Sequence, residues 1–320
     1  MLALTMGEPA GIGAEIAVKA WHALRASGPE FLLIDDADRL TGAPIQRITH
    51  PAEARFAEAL PVLHRPLPTP ATPGKPSTAT APAVLAAIRE AVALARSGAV
   101  TGIVTNPIQK SVLTAAGFAH PGHTEFLGEL AGTGVPPVMM LACPELRVVP
   151  VTVHEPLARA IARLTPDLIV EHARITHDAL VRDFGIAAPR LAVAGLNPHA
   201  GEAGTLGHED DAIVAPAVAR LKALGIAATG PWPPDTMFTA QARPRYDAAI
   251  CLYHDQALIP IKTLDMAGGV NVTLGLSIIR TSPDHGTALD IAGQGIAGAE
   301  SLIAAIRLAA QLADHRRNRR

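Results

Sequence analysis

The sequence predicts an α/β protein built on a largely parallel β-sheet. Short apolar runs typical of buried strands alternate along the 320 residues with Ala- and Leu-rich stretches typical of helices. Hydrophobic residues make up 49% of the chain and charged residues 18%, which provides enough apolar material for a large core. Continuous apolar strands are expected where helices cover both faces of a parallel sheet.

The first predicted elements lie at the amino terminus. Residues 2–16 read as a strand, a loop rich in Gly and Pro, and the start of a helix. Gly7, Gly11 and Gly13 allow the backbone to approach closely at that helix start, although a tight turn is the favoured explanation for them. The segment matches neither GxGxxG nor GxxxxGK[ST], so neither common nucleotide-binding fingerprint applies.

The remaining elements follow in the same alternating order. Five apolar runs predict strands at residues 31–35, 99–105, 146–153, 191–196 and 248–253. Helical spacing predicts helices over residues 82–96, ended by Gly98, and 301–312. Between them, the Pro-rich residues 61–82 predict a surface loop rather than a mobile lid.

Composition excludes several classes of protein. A net charge of −2 and only 3% aromatic residues argue against nucleic-acid binding. Cys143 and Cys251 are too far apart in sequence to suggest a disulfide framework, so a cytoplasmic location is expected. No run of 18 uncharged apolar residues and no signal-like start is visible, so neither a membrane span nor secretion is expected.

Three histidines share one setting in the predicted sheet. His154, His199 and His254 each follow a predicted strand, and ligands bind at the carboxyl edge of open parallel sheets. Three converging imidazoles would make a divalent-metal site with an open position for substrate. The alternative is three unrelated loop histidines, and position alone does not decide between the two.

Polar residues elsewhere suit an anionic substrate. His123 and Thr124 precede an apolar helix, where Thr124 is alternatively a helix N-cap. Lys262, Asn271 and Arg280 add two cations and an amide in the densest polar block of the chain. Such groups together favour a phosphate or carboxylate ligand.

Six segments carry a resemblance to a known family. They are residues 7–13, 105–113, 122–132, 196–207, 253–262 and 269–293. In that order they resemble the 4-hydroxythreonine-4-phosphate dehydrogenase (PdxA) family of vitamin B6 biosynthesis. The segment HGTALDIAG is also similar to the cofactor-binding stretch of isocitrate and isopropylmalate dehydrogenases. TNPIQK at residues 105–110 departs from the more usual TAPINK.

The resemblance implies an activity. It is the NAD(P)- and divalent-metal-dependent oxidation of 4-phosphohydroxy-L-threonine to a β-keto acid, which decarboxylates to 3-amino-2-oxopropyl phosphate on the route to pyridoxine 5′-phosphate. The ion would be zinc, cobalt or magnesium. A related 4-phosphorylated acid, D-threonate or D-erythronate 4-phosphate, is an alternative substrate. A phosphate acyltransferase is the alternative from another class, and it would use no three-histidine metal site.

The resemblance also implies residue roles. It assigns the metal ion and catalysis to His154, His199 and His254, with Lys262 also catalytic. Substrate contacts fall on His123, Thr124, Lys262, Asn271 and Arg280. Cofactor contacts fall on His285, Gly286, Thr287, Ala288 and Asp290. Asp235 and Asp255 are candidates for the proton acceptor, although structural hydrogen bonding explains both.

The architecture implied by the resemblance has two α/β/α lobes with the active site in the cleft between them. Residues 1–125 and 275–320 would form a dinucleotide-binding lobe, and residues 126–274 a lobe for metal, substrate and dimer contacts. In the family two subunits share each active site, and the third histidine comes from the neighbouring chain. A homodimer without nucleic-acid or membrane partners is therefore expected.

Overall fold

The α/β class is confirmed in the computed structural model, which describes residues 1–120 and 122–318. The strands in these residues are β1 Leu2–Thr5, β2 Phe31–Asp35, β3 Ile45–Ile48, β4 Leu60–His64, β5 Ile103–Thr105, β6 Val138–Cys143, β7 Leu146–Pro150, β8 Arg190–Ala194, β9 Ala227–Trp232, β10 Ala248–Cys251, β11 Val270–Leu274 and β12 Arg280–Pro283. The α-helices are α1 Gly13–Leu24, α2 Ala81–Ser97, α3 Lys110–Ala115, α4 His123–Ala131, α5 Leu157–Arg163, α6 Pro166–Arg182, α7 Ala215–Ala223, α8 Pro234–Met237, α9 His254–Leu264 and α10 Glu300–Arg317.

The described chain divides into two compact units. The first comprises Met1–Pro137 and Leu276–Arg317, and the second comprises Val138–Gly275. The first unit thus continues past residue 125, where the sequence placed a boundary. The reason is that Phe126 and Leu127 of α4 pack into the core of this unit.

The first unit contains a parallel sheet in the order β3-β4-β2-β1-β5-β12. Helix α2 packs against it with a buried stripe that includes Val84, Ile88 and Ala91. Gly98 ends this helix with φ 79°, a left-handed conformation that glycine adopts without steric cost. The predicted helix and its stop residue are both confirmed.

The second unit contains strands in the order β11-β6-β7-β10-β8-β9. Strands β7, β10, β8 and β9 are parallel, whereas β6 pairs antiparallel with both β7 and β11. Leu141, Val148 and Ala249 lie in its core beneath α9. The sheet is therefore largely parallel, as predicted.

The other predicted elements also form, with adjusted bounds. The predicted strand at residues 99–105 shortens to β5 because residues before Ile103 form a turn. Most of residues 61–82 form the surface loop between β4 and α2, and Gly74 donates a backbone hydrogen bond to Ala10. The helix predicted over residues 301–312 continues to Arg317, so the basic residues Arg316 and Arg317 belong to it. Residues 319 and 320 lie outside the described residues.

One helical stretch in the described residues, Thr78–Ser97, is long and apolar enough to cross a membrane by length and composition. It contains α2, whose apolar face lies in the core of the first unit. A core helix of a globular protein has the same length and composition, so the stretch is weak evidence for a membrane span.

Candidate functional site

The structure brings two of the three strand-end histidines together. Strands β7 and β10 are parallel and paired up to Pro150 and Cys251, so the segments that follow them leave the same edge of the sheet. The rings of His154 and His254 have centroids 5.5 Å apart. Two imidazoles bound to one tetrahedral ion have centroids about 5 Å apart, given metal–nitrogen bonds of about 2 Å. The pair therefore fits a shared divalent ion.

The ring of His254 is oriented by its neighbour in sequence. His254 is the first residue of α9, and its Nδ1 lies 2.6 Å from Oδ1 of Asp255. A carboxylate on one ring nitrogen fixes the tautomer and makes the other nitrogen a better metal ligand. The contact leaves Nε2 of His254 as the atom for a cation. Asp255 thus has the structural role that its sequence position allowed.

The two histidines border a cavity in the second unit. Its volume is about 380 Å³, and residues 152–157, Ala160 and residues 253–255 line it. An opening of this size beside two imidazoles accommodates a small substrate group.

His154 and His199 share an unusual backbone conformation. Their φ angles are 48° and 52°, and the described chain has six non-glycine residues with positive φ. This conformation costs about 1–2 kcal/mol per L-residue and persists only where the surroundings impose it. Strain of this kind collects at functional sites, which gives these two residues independent support as site residues.

His199 begins a run of left-handed residues that continues to Ala203. The buried carboxylate of Asp210 holds the start of this loop by accepting hydrogen bonds from the backbone N–H groups of Leu196 and Asn197, at 2.7 and 2.9 Å. His199 itself is exposed. Within the described residues of one chain, the three histidines do not form a group whose ligand atoms all lie within 4.8 Å of one another. The chain alone therefore assembles the His154–His254 pair and not the triplet.

A different group of potential ligands lies in the first unit. Ligand atoms of Asp36, Asp38 and His64 lie within 4.8 Å of one another at the ends of β2 and β4. Protein donors already use them: the Asp36 carboxylate accepts from two backbone N–H groups, His64 Nδ1 accepts from a third, and Asp38 pairs with Arg47. These contacts close a turn, so hydrogen bonding within the protein accounts for the cluster.

Buried Arg280 and half-buried His123 interact electrostatically in the first unit. Arg280 begins β12 and donates from Nε and Nη2 to Oγ1 of Thr105, at 3.1 and 2.7 Å. Burial lowers the pKa of Arg280 to about 10, so the guanidinium keeps its charge at neutral pH. Burial and, secondarily, this charge hold the pKa of His123 well below its usual value. A fixed cation beside a neutral imidazole suits recognition of an anion.

Two of the residues predicted to bind substrate, His123 and Asn271, also have buried polar atoms. Nε2 of His123 is enclosed and has no hydrogen-bond partner among the described residues. Oδ1 of Asn271, in β11 of the second unit, is in the same state. A buried polar atom without a partner is rare in a folded protein and calls for a ligand or an ordered water.

Helix α4 begins within the GHTE segment, residues 122–125, but Thr124 does not cap it. Gly122 is the N-cap of α4, and Thr124 lies inside the first turn. Thr124 is therefore not the N-cap, because the extended residue that precedes the helix is Gly122 and no side chain caps the helix. Its hydroxyl makes no cap hydrogen bond.

Lys262 lies on the same face of α9 as His254. Eight residues separate them, which is a little over two turns and about 12 Å along the helix. Both line an open depression of about 400 Å³ together with Asp255, Leu258, Ile259 and Thr263. Lys262 is thus placed along the same helix face as the histidine.

The residues predicted for the cofactor form a loop between β12 and α10 in the first unit. The backbone N–H of Ile12 donates to the carbonyl of Thr287 at 3.1 Å, and the Thr287 hydroxyl donates to Oε1 of Gln109 at 2.9 Å. Nε2 of His285 is enclosed and has no hydrogen-bond partner among the described residues, and Ala288 has φ 44°. The loop is therefore held in a strained, defined shape against the amino-terminal segment.

Further contacts hold the chain that follows this loop. Lys19 of α1 donates to the carbonyls of Gly295 and Ala297, and Glu15 accepts from the N–H of Ala297. A cavity of about 420 Å³ lies here, lined in part by Gly11, Lys19 and Gly295. Sequence reasoning missed Lys19, Glu15 and Gln109, because their role depends on contacts between segments more than 170 residues apart.

The chain is similar to known proteins over nearly its whole length. Residues 23–309 match the family model described as pyridoxal phosphate biosynthetic protein PdxA. The 4-hydroxythreonine-4-phosphate dehydrogenase of Caulobacter vibrioides is 55% identical, with 98% of each chain covered. That of Paracoccus denitrificans is 56% identical, again with 98% of each chain covered. The crystal structure of 4-hydroxythreonine-4-phosphate dehydrogenase from Klebsiella pneumoniae matches with a TM-score of 0.89 and 42% identity, covering 98% of this chain and 99% of that one.

Proposed function

The chain belongs to the family of pyridoxal phosphate biosynthetic protein PdxA, and we propose that it oxidises 4-phosphohydroxy-L-threonine in pyridoxine 5′-phosphate biosynthesis. The product is a β-keto acid that loses CO₂ to give 3-amino-2-oxopropyl phosphate. The observation that carries the proposal is the His154–His254 pair with Asp255 on Nδ1, because it supplies a cation site at the ligand-binding edge of a parallel sheet.

The metal ligands proposed are His154, His199 and His254. Imidazole donors suit zinc and cobalt and tolerate magnesium, so the donor set fits a divalent ion. When bound, the ion supplies Lewis-acid stabilisation of negative charge on the substrate oxygen, and NAD or NADP accepts the hydride. Because the described residues of one chain bring His154 and His254 together but do not gather all three histidines, we assign His199 to the neighbouring subunit of a homodimer.

The chain's own residues hold and orient the phosphorylated substrate. We assign the anionic groups to Arg280, His123 and Thr124 in the first unit and to Lys262 and Asn271 in the second. The charge of Arg280 persists through neutral pH, and the neutral His123 ring offers a hydrogen bond from its enclosed Nε2. Binding at fixed, desolvated groups orients the reacting carbon and lowers the entropic part of the barrier.

The cofactor position proposed is the loop from His285 to Asp290, with contacts from His285, Gly286, Thr287, Ala288 and Asp290. The backbone of Thr287 is held by Ile12 and its side chain by Gln109, so the loop presents a pre-formed surface. Gly286 has open space where a Cβ would lie, which leaves room for a ligand at the backbone. The enzyme is proposed to work in the cytoplasm as a homodimer, without nucleic-acid or membrane partners.

The test is NADH or NADPH formation from 4-phosphohydroxy-L-threonine by chelator-treated protein, before and after divalent metals are restored. Metal-dependent reduction of the cofactor is the expected result. Activity that survives complete metal removal would contradict the proposed histidine metal site, but it would leave the proposed dehydrogenase activity standing. If no metal restores activity to folded protein, the assigned substrate is wrong, and the threonate and erythronate 4-phosphates are then assayed.

A further inference from the structure

Gln256 is a buried amide in the first turn of α9, and both of its polar atoms are used. Oε1 accepts a hydrogen bond from the backbone N–H of Leu252 at 2.7 Å. Nε2 donates to the backbone carbonyl of Gly195, also at 2.7 Å. The residue is 6% exposed, so water does not replace either bond.

The two backbone groups belong to the segments that carry His254 and His199. Leu252 follows β10 and lies two residues before His254. Gly195 follows β8 and lies four residues before His199. A third segment joins the same point, because the hydroxyl of Thr152, two residues before His154, donates to the carbonyl of Leu252 at 2.8 Å. One buried network therefore connects the chain ahead of all three histidines.

The network begins where the sheet ends. The pairing of β10 with β8 reaches Ile250 and Val193, and no further backbone pairs join these strands in the described residues. The Gln256 amide has the donor and acceptor of a peptide group and stands between the next N–H and the next carbonyl. Its side-chain amide thus takes the place of a peptide group between the segments that follow β10 and β8.

We propose that Gln256 is a positioning residue for the histidine site: it fixes the segment before His254 relative to the segment before His199 on the same chain. The inference rests on the proposed function, because it assigns Gln256 to the support of the metal ligands. The neighbouring contacts agree with this role, since Asp210 fixes the two residues after Gly195 and Gln256 fixes Gly195 itself. Residues that orient metal ligands typically contribute 10- to 100-fold to metal affinity.

The test is the substitution Gln256→Leu, which keeps the size of the side chain and removes both hydrogen bonds. We expect Co²⁺ affinity, measured by calorimetric and absorption titration of the full-length protein without substrate, to fall about 10- to 100-fold. In the metal-free protein, hydrogen exchange should accelerate at the amides of Leu252, Leu196 and Asn197. An unchanged Co²⁺ affinity in Gln256→Leu would overturn the inference, whether or not hydrogen exchange changes.

Thr176→Val is the matched control in the same unit. Thr176 is fully buried in α6, and its hydroxyl donates to the carbonyl of His172. This variant loses a buried hydrogen bond within α6, which carries none of the three proposed metal ligands. Its Co²⁺ affinity should therefore equal that of the wild type even if its stability falls. If Gln256→Leu and Thr176→Val lost Co²⁺ affinity equally, the positioning role would be overturned, because general destabilisation would then explain the loss.

A second variant covers the case in which Gln256→Leu does not fold. Gln256→Glu keeps an acceptor for Leu252 and loses the donor to Gly195, so exchange should rise at Leu196 and Asn197 while Leu252 stays protected. Wild-type protein that binds no Co²⁺ and oxidises no substrate would instead overturn the proposed function. Normal wild-type binding with unchanged affinity in the Gln256 variants would overturn only this inference.

Discussion

At the scale of single residues, burial decides the charge states in the anion-binding group. A guanidinium keeps its proton even when burial lowers its pKa to about 10, whereas an imidazole beside it does not. Arg280 and His123 therefore differ in charge although they share one environment. The sequence predicted both as anion ligands, but it could not predict this difference, which depends on their burial and proximity in the folded chain.

Arg280→Ala should raise the KM for the phosphorylated substrate about 10- to 100-fold, because hydrogen bonds to a charged group contribute about 1.5–3 kcal/mol. The kcat should change less, since the residue binds the anion and does not touch the reacting carbon. Steady-state kinetics at saturating metal separates the two parameters. Arg220→Ala, which removes an exposed ion pair with Asp167, is the control. An unchanged KM in Arg280→Ala would place the anion site elsewhere.

The low pKa of His123 makes stability depend on pH. Above the unfolded value of about 6.5, the ring is neutral in both states and contributes no pH dependence. Below it, the unfolded chain binds the proton first, so the free energy of unfolding falls as pH decreases, by up to about 1.4 kcal/mol per pH unit, until the folded pKa is reached. His123→Gln should remove this part of the slope between pH 6.5 and the folded pKa.

Urea unfolding at a series of pH values measures the slope for the wild type and for His123→Gln. His22→Gln is the control, because His22 is exposed and its Nε2 forms a hydrogen bond with the carbonyl of Gly42 at the surface. Identical slopes for the wild type and His123→Gln would contradict the assigned burial of the ring.

At the scale of elements, the strand ends were predictable and the loops after them were not. Apolar runs fixed the positions of β7, β8 and β10, and their parallel pairing brings the following segments to one edge of the sheet. The left-handed run from His199 to Ala203 has no local signature, since two of its residues are alanines, which favour right-handed helices. Gln256 and Asp210 hold Gly195 and Leu196 just before this run, and Gly201 within it lies close to Gly207 and Asp210. These contacts exist only in the folded chain.

The amino-terminal glycine loop was also only partly predictable. The sequence allowed a close backbone approach at Gly7, Gly11 and Gly13, but it did not identify the segment that lies close to them. For Gly11 the structure gives the answer: a Cβ there would lie 2.7 Å from the carbonyl oxygen of Thr287. Glycine at this position therefore serves the packing of the predicted cofactor loop.

Gly11→Ala should displace the loop around Thr287 and raise the KM for NAD or NADP about 10-fold, since a misplacement of about 1 Å at a binding site carries penalties of this order or larger. Co²⁺ affinity should stay unchanged, because the histidine pair belongs to the other unit. Gly28→Ala is a matched control, as its Cβ would meet Leu24 at 2.5 Å near the far end of α1. A cofactor KM that rises equally in both variants would contradict the specific role of Gly11.

At the scale of the whole molecule, exposed apolar surface is concentrated in one unit. Eight of the ten large hydrophobic side chains that are exposed in the described chain belong to the second unit. Leu157 and Ile161 lie on one face of α5, and Ile259 lies on α9 beside Lys262. Apolar surface of this kind next to an incomplete ligand set is typical of a subunit interface. It supports the proposed homodimer in which His199 completes the site of its neighbour.

Mixing two inactive variants tests whether the site is shared. His199→Ala and His154→Ala should each abolish metal-dependent turnover while the protein stays folded. In a heterodimer of the two, one site combines His154 and His254 of the first chain with His199 of the second, so it is intact, and the other site lacks two ligands. Random reassortment makes half of the dimers mixed, so roughly a quarter of wild-type activity should return.

His154→Ala mixed with His254→Ala is the control. These two ligands belong to the same chain's pair, so every site in the mixed dimer lacks one of them and no activity should return. Recovery in the control, or none in the first mixture despite mass-spectrometric proof of exchanged subunits, would contradict the assignment of His199 to the neighbouring chain.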